Sequence, residues 1–498
     1  MDFNGLSWWW YGKDRKDFYS AAQSPKAWRD FTKVIAEIKA LRPLISSNGK
    51  VATGKAMVGE SAILWWTKVY RAKRYLIAVS ASEKPVDAVF SVPGFGRLRK
   101  SFGRYGVWCH SIECKDREVR YLSNAGDDSN DGMTPESAWR TIGKLNRDLP
   151  AGATARLRAG DVFYGTVEVM GGVDKDFRTF ITSFGDGPKP VIAGTKNLRC
   201  DPAIWKTNAE RYNYWFTDLA DRSNFSGIDS DDANPGFLIV DGEIKAWRHF
   251  CRHDINRQWD FAGEDGKLYV YSTNNPALLA KDLKVAVNSH GMLLDSHTFV
   301  SNVTFRSLGG HGICAGWEKT AKTDIHIRDC RFENIGGSEL LSFKGMRVRY
   351  GNGVEFGSNC FDCTVEGCFF TGIYDVAFTM QGVPSVTGWN DIHMRSCHIE
   401  NSSQAFEIWC QRAKPGMGFS RCSFTGNRVM NVGGGWGART RPNRIVATPL
   451  LVYKMETDTV DVTVSGNSFE GMPNGLMFVL NGKESLSPGY RILDNIVK

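Results

Sequence analysis

The chain has 498 residues, 42% of them hydrophobic, and a formal net charge of +8. That length calls for more than one domain and gives ample apolar material for a core. No run of eighteen apolar residues occurs, which excludes a membrane-spanning helix, and no nucleic-acid motif accompanies the positive charge.

The first 115 residues fall into two parts. Ser24 and Pro25 form a helix cap and first position, and Trp28, Phe31, Val34, Ile35, Ile38 and Leu41 follow at helical spacing up to Pro43. From about 50 to 112 the pattern changes to short strands, as in AILWWTKVYRAKRYLIAVSAS and VDAVFSVPG. This order loosely resembles the last helix and small C-terminal β-sandwich of a barrel glycoside hydrolase. The resemblance implies a non-catalytic accessory domain over 1–115, because a barrel's acids would lie upstream. An unrelated small α+β cap fits equally. The aromatic cluster near the start is too short, and its acids too close, for a signal peptide.

The segment YLSNAGDDSNDGMTPESAWRTIGKLNRDLPAGATARLRAGDVFYGTVEV, Tyr121–Val169, reads as a short strand, an Asn/Asp/Gly turn and a helix capped near Thr134 with Pro135 first. A Gly-rich turn and a strand with Val162, Phe163 and Val167 follow. It resembles the opening of right-handed parallel β-helix proteins of the pectate-lyase-like superfamily, where the helix caps one end of a coiled sheet. The resemblance implies a carbohydrate-active, all-β solenoid over 116–498. It does not imply one reaction, since that superfamily holds lyases, hydrolases, epimerases and tailspikes.

Residues 196–285 read as an insertion with Trp205, Trp215, Trp247 and Trp259, and with strands at GFLIVDGEIKAW and GKLYVYS joined through the turn Gly263–Gly266. Its acidic run Asp229-Ser230-Asp231-Asp232 suits Ca²⁺ in residue type but lacks regular ligand spacing. No cofactor is expected otherwise.

After 290 a small or polar residue recurs two places before an aromatic or aliphatic one. The pairs are Val303/Phe305, Cys330/Phe332, Cys368/Phe370, Cys397/Ile399, Cys422/Phe424, Asn467/Phe469 and Asn495/Val497. Seven stacked coils are predicted, with long loops near 333–350, 381–391, 411–418 and 431–447. Stacked side chains on parallel strands are poorly placed for disulfides, so Cys330, Cys368, Cys397 and Cys422 read as a buried thiol ladder. Cys360 and Cys363 form a CxxC with no matching second pair, which does not make a zinc site.

The strand after each ladder residue carries the candidate chemistry. HGICAG, NGVEFG, DVAFTMQ and QAFEIWC align His311, Asn352, Asp375 and Gln404 on one edge. With Ile313, Val354, Ala377 and Phe406 inward, Glu355 and Glu407 face out, and Asp375 lies between them. Carboxyls on adjacent or alternate coils match the separations used by retaining and inverting glycosidases. Asp375, Glu355 and Glu407 are therefore the catalytic candidates, and His311, Tyr374 and Gln381 are substrate contacts on the same edge. Basic residues cluster on nearby loops: Lys344, Arg347 and Arg349, then Arg412 and Lys414, then Arg439, Arg441 and Arg444. Of these, Arg347, Arg349, Arg412, Arg439 and Arg441 are candidate substrate contacts, and an acidic glycan is the partner such a groove suits. A glycoside hydrolase is the first reading. A polysaccharide lyase, with Lys or Arg as base, and a non-catalytic glycan-binding or tailspike-like module remain open. A glycan-active protein is expected to be secreted or displayed at the cell surface in its full context. Oligomeric state is not legible.

Overall fold

The computed structural model describes residues 52–498 apart from 71–72, 93–94, 114–116, 208–210, 318–319, 344–345, 441–446 and 481–485. The helix expected over 24–43 lies outside the described residues. The chain separates into two compact units, Met1–Tyr70 with Tyr75–His110 and Arg71–Arg74 with Ser111–Lys498.

The first unit is β-structure around its own small core. Ala52–Val58, Ser61–Tyr70 and Lys73–Ser80 belong to one sheet, and Val86–Val92 pairs with Gly96–Phe102 as a hairpin. Val86–Val92 alternates buried and exposed positions, and the buried ones join Ile63, Leu76, Ala78 and Phe102.

The second unit is all-β and mostly parallel. Among the described residues, three long sheets of ten, nine and seven strands run through it. From Thr298 onward the chain visits them in a fixed order: Thr298–Ser301 in the first, Thr304–Leu308 in the second, Ile313–Ala315 in the third, then Lys322–Arg328 back beside Thr298–Ser301. Each circuit is one coil, and every strand hydrogen-bonds to its counterpart one circuit away. Side chains that point inward stack into continuous rows, and these rows make one core that runs the length of the unit.

The row in the nine-stranded sheet is Ile192, Phe305, Phe332, Phe370, Ile399, Val429, Phe469 and Val497. Phe305, Phe332 and Phe370 stack with ring centroids 5.0 and 4.5 Å apart. The expected row is corrected at one place. Phe424 belongs to the ten-stranded sheet, in register with Met394 and Val464, and Val429 takes its station. Correspondingly Asn427, not Cys422, continues the series Cys330, Cys368, Cys397. None of the described cysteines is in a disulfide. Cys360 and Cys363 are buried in the core.

The entry helix also starts later than expected. Thr134 to Ser137 form a turn, and the helix is Ile142–Asp148 with Thr141 as its cap. Asp128 decides this, because its carboxylate accepts from the Arg140 and Thr141 amides and from the Thr141 hydroxyl, which in turn accepts from Lys144 N. Val162–Tyr164 is a strand, whereas Val167 makes an isolated bridge to Met292.

Between the early coils and the main stack lie two antiparallel sheets spanning Thr195–Val287. Their core includes Phe237, Leu238 and Val285 together with Tyr374 and Trp436 of the coils, and Phe237 meets Trp436 edge-on at 5.2 Å. The insertion is thereby fixed at the corner between the nine- and seven-stranded sheets, where Tyr374 lies and where Gly309 N donates to the Val287 carbonyl. In its acidic run Arg222 pairs with Asp229, and the fully buried Lys196 donates to the Leu219 and Ser230 carbonyls. Among the described residues no group of three His, Cys, Asp or Glu is placed to hold a metal ion.

Candidate active site

The seven-stranded sheet supplies the carboxylates. Its inner row is Ile313, Val354, Phe378, Phe406 and Leu450. Phe378 fills the place expected for Ala377. The strand Val376–Gly382 is therefore shifted by one residue relative to the sequence alignment, and Val376, not Asp375, sits level with Asn352 and Gln404. Asp375 comes one residue earlier, at the corner, where its carbonyl accepts from Gln404 N.

The outer row reads Cys314, Glu355, Thr379, Glu407 and Leu451. Glu355 and Glu407 thus lie on one face, separated by a single uncharged strand. Two strand steps put their backbones roughly 9.6 Å apart. The next outer position along each strand adds Gln381, Trp409 and Tyr453.

Beside this face is a cavity of about 450 Å³. Asp375, Gln381, Gln404, Glu407, Trp409 and Tyr453 line it from the sheet. Arg347, Val348 and Arg349 line it from the hairpin Ser338–Phe343/Met346–Tyr350, and Arg248 and Phe250 from the insertion. The cavity therefore has a carboxylate side and an arginine side.

Glu355 is in the expected row but is not open to solvent. Its residue exposure is 0%, because the loop after Ile313–Ala315 brings Trp317 over it. The Trp317 indole N–H donates to Oε1, and Asn352 and Gln381 donate to Oε2 at 2.5 and 2.7 Å. Three donors favour the charged form. Burial outweighs them and, with the nearby charge of Asp375 adding to it, pushes the carboxyl up to about 7. Gln381 both lines the cavity and holds Glu355, so its amide separates the carboxyl from the open space.

His311 lies 3.5 Å from Glu355 but is not an ion-pair partner. Its Nδ1 accepts the Asn352 amide, its ring stacks on His290 at 5.1 Å, and burial lowers it to about 4. It is neutral and packs behind the site, outside the cavity lining. Thr379, fully buried between the two glutamates, has a hydroxyl with no hydrogen-bond partner, and the buried Trp409 Nε1 has none either.

The other sequence candidates divide. Tyr374 lines the cavity with its ring beneath the Arg349 guanidinium, 4.9 Å away. Arg349 is buried, and it donates to the carbonyls of Gly337 and Gly236 at 2.9 and 3.0 Å. Its first role is thus to tie the hairpin to the insertion. Arg347 is half exposed and binds Glu339 and the Phe250 carbonyl. Arg412 is held elsewhere, its amide on Glu456, and does not line the cavity. Arg439 is on the short helix Trp436–Thr440, which reaches the cavity through Thr440. Arg441 lies outside the described residues, as do Lys344 and Arg444.

Arg248, Trp317, Thr379, Trp409 and Tyr453 were not singled out from sequence. Thr379 and Tyr453 follow from the row once the one-residue shift is made. Arg248 and Trp317 come from loops that no strand periodicity reaches.

No family model matches the chain, and no curated protein does. Among solved structures the chain is similar to XylC in complex with xylose, at 11% identity over 76% of this chain and 69% of that one, with a TM-score of 0.35. It is similar to the GH136 lacto-N-biosidase of Eubacterium ramulus at 12% identity, over 76% and 67% of the two chains, with a TM-score of 0.30. Alginate lyase from a Paenibacillus species gives 10% identity, 76% and 95% coverage and a TM-score of 0.33. At such TM-scores the chemistry has to be argued from the side chains themselves.

Proposed function

We propose that the second unit hydrolyses a glycosidic bond of an oligo- or polysaccharide bound in the cavity. One observation carries this reading: Glu355 and Glu407 share the outer row of one sheet with Thr379 between them. A backbone separation of roughly 9.6 Å suits the carboxyl spacing of about 6.5–9.5 Å that leaves room for a water in inverting hydrolysis. Glu355, held up to about 7, keeps a proton near neutral pH and serves as the general acid toward the leaving oxygen. Glu407 on the cavity wall serves as the base that activates water on the opposite face of the sugar. The leaving oxygen takes the place of the Gln381 amide against Glu355. Asp375 adds negative charge near Glu355 and helps keep its proton on. Trp409 and Tyr453 offer ring faces to a sugar. The same reading takes the coils as right-handed, the hand that parallel crossovers adopt in nearly all cases, and takes the protein to act outside the cell.

The test is a screen of the purified chain against neutral and acidic polysaccharides, reading new reducing ends and the absorbance of unsaturated uronates. Reducing ends without that absorbance are expected. Glu355→Gln and Glu407→Gln should each lower turnover by about 10²–10⁴-fold with folding intact, and Asp375→Asn should act more weakly through Glu355. Full activity in all three variants would place the chemistry elsewhere. Unsaturated products would make the protein a lyase.

A further inference from the structure

The arginine side of the cavity contains a buried cation whose hydrogen bonds are incomplete. The Arg248 side chain is 2% exposed, and its Nη2 meets Glu339 Oε2 at 3.2 Å. Its Nε and Nη1 are buried and have no hydrogen-bond partner, the guanidinium lying over the Phe250 ring at 5.7 Å. Arg349, beside it, has spent donors on the Gly337 and Gly236 carbonyls, and Arg347 shares Glu339 through Oε1 at 3.0 Å. Arg248 and Arg347 thus share Glu339, the charge of Arg349 acts on Arg248 from beside it, and Arg248 and the more distant Asp232 also feel each other's charge. Asp375 and Glu407 stand on the other wall of the same cavity.

Buried guanidinium donors are rarely left without acceptors, because the lost hydration is not regained. An orphaned donor set against a cavity reads as the place of an acceptor that arrives with a ligand. The cavity's other end is acidic, so an anion has only one end at which to bind. A ligand with one anionic substituent and neutral hydroxyls elsewhere is therefore oriented by the two walls.

We propose that Arg248, carried by the insertion, is the specificity residue of the cavity and binds an anionic substituent, a carboxylate or a sulfate ester, on the saccharide. This rests on the proposed function only for the ligand being a saccharide. Arg248 reads the charge at the arginine side and leaves the bond to be cleaved at the carboxylate side.

Binding is measured by calorimetry on the full chain carrying Glu407→Gln, so that no ligand is consumed. The probes are length-matched oligouronides, the same oligosaccharides after reduction of their carboxyls, and sulfated neutral oligosaccharides. At least tenfold tighter binding of one anionic set over the reduced set is expected, and which set wins tells carboxylate from sulfate. Adding Arg248→Met should remove that tenfold preference and leave binding of the reduced set unchanged. In case Arg248→Met does not fold, the rise in melting temperature of the Glu407→Gln chain with each probe at equal concentration gives the same comparison, and an anionic set should raise it more than the reduced set. Equal binding of charged and reduced oligosaccharides, or an undiminished preference in Arg248→Met, overturns the proposal. Anionic oligosaccharides that bind and lose affinity in Arg248→Met yet are never cleaved by the unsubstituted chain would leave this inference standing and sink hydrolysis. Cleavage of a neutral glycan with no anion preference would do the reverse.

Discussion

Glu355 is the residue at which fold and proposed chemistry pull in opposite directions. Its carboxyl has no exposure, and its proton is held to about 7 against an ordinary 4.5. A group whose folded-state pKa is raised binds the proton more tightly in the folded chain. Its stabilising effect is complete below about 4.5 and is lost as the pH rises through about 7. The shift corresponds to as much as about 3 kcal/mol of stability forgone at pH 8 relative to pH 4. Glu355→Gln removes the titration but keeps one acceptor oxygen, and the Asn352 and Gln381 amides can turn to offer the other partner. The variant should therefore melt at a higher temperature than the unsubstituted chain at pH 8, and at about the same temperature at pH 4. The same substitution should abolish the fall in turnover that a general acid gives as the pH passes above about 7. Scanning calorimetry and pH–rate profiles check the two halves. A variant that is both inactive and less stable at pH 8 would mean that the charged carboxylate, with its three donors, is the resident form.

At the scale of the strand and its corners, the sequence shows a repeat but not its phase. Each coil turns through a left-handed residue just before a small inward one. Asn302, Asp329, Gly367, Ser396, Gly426, Gly466 and Asp494 all have φ between 53° and 65°. A second such residue lies five positions earlier in several coils, at His297, Asp324, Asp362, Asp391 and Arg421. The local pattern of a turn residue, a small residue and then a large apolar one therefore serves two stations per coil. Arg421-Cys422-Ser423-Phe424 fits the first and Gly426-Asn427-Arg428-Val429 the second, which is why Phe424 reads as a member of the wrong row. The second station also has a physical demand that spacing alone does not reveal. Asn467 Oδ1 accepts from Asn427 N at 2.8 Å, and its Nδ2 donates to Phe424 O at 3.0 Å, so the side chain closes the backbone groups of the corner. Cys397 does the same work more weakly, its sulfur accepting from Cys368 N at 3.4 Å and donating to Val365 O at 3.8 Å. Asn467→Ala orphans buried backbone groups on both sides and should cost about 2–4 kcal/mol in urea unfolding. Asn467→Cys, the residue the three earlier coils use, should cost roughly half of that or less. Equal losses would show that the ladder works by filling space alone.

For the molecule as a whole, the succession of stacked coils was legible because it repeats, and the candidate site only where it shares that repeat. Strand alternation placed Glu355 and Glu407 on one outward row, as the sheet has them, and the one-residue error at Asp375 arose where a corner interrupts it. Arg248 and Trp317 depend on which loops return to the sheet, and that is decided by long-range packing such as Phe237 on Trp436. The same one-dimensional order governs how the second unit responds to damage. Within the three sheets each coil pairs only with its neighbours, so coupling through the stacked rows should fall away within one or two coils; the loop carrying Trp436 is an exception, its indole N–H donating to the Gly372 carbonyl two coils back. Phe332 and Phe370 stack nearly parallel at 4.5 Å and 4°, whereas Phe469 lies several strands away in the same row. Phe→Leu at each position should cost about 1–2 kcal/mol, small enough for the chain to fold. The Phe332 and Phe469 variants should add to within about 0.5 kcal/mol when combined. Phe332 with Phe370 should deviate from additivity by more than that, because each ring is the other's packing partner. Native-state hydrogen exchange on the strand amides reads both pairs without interference from the first unit, whose separate core of Ile63, Leu76, Phe90 and Phe102 is expected to melt in its own transition. Strong coupling between Phe332 and Phe469 would mean that the coils open as a single block and that the nearest-neighbour picture fails for this unit.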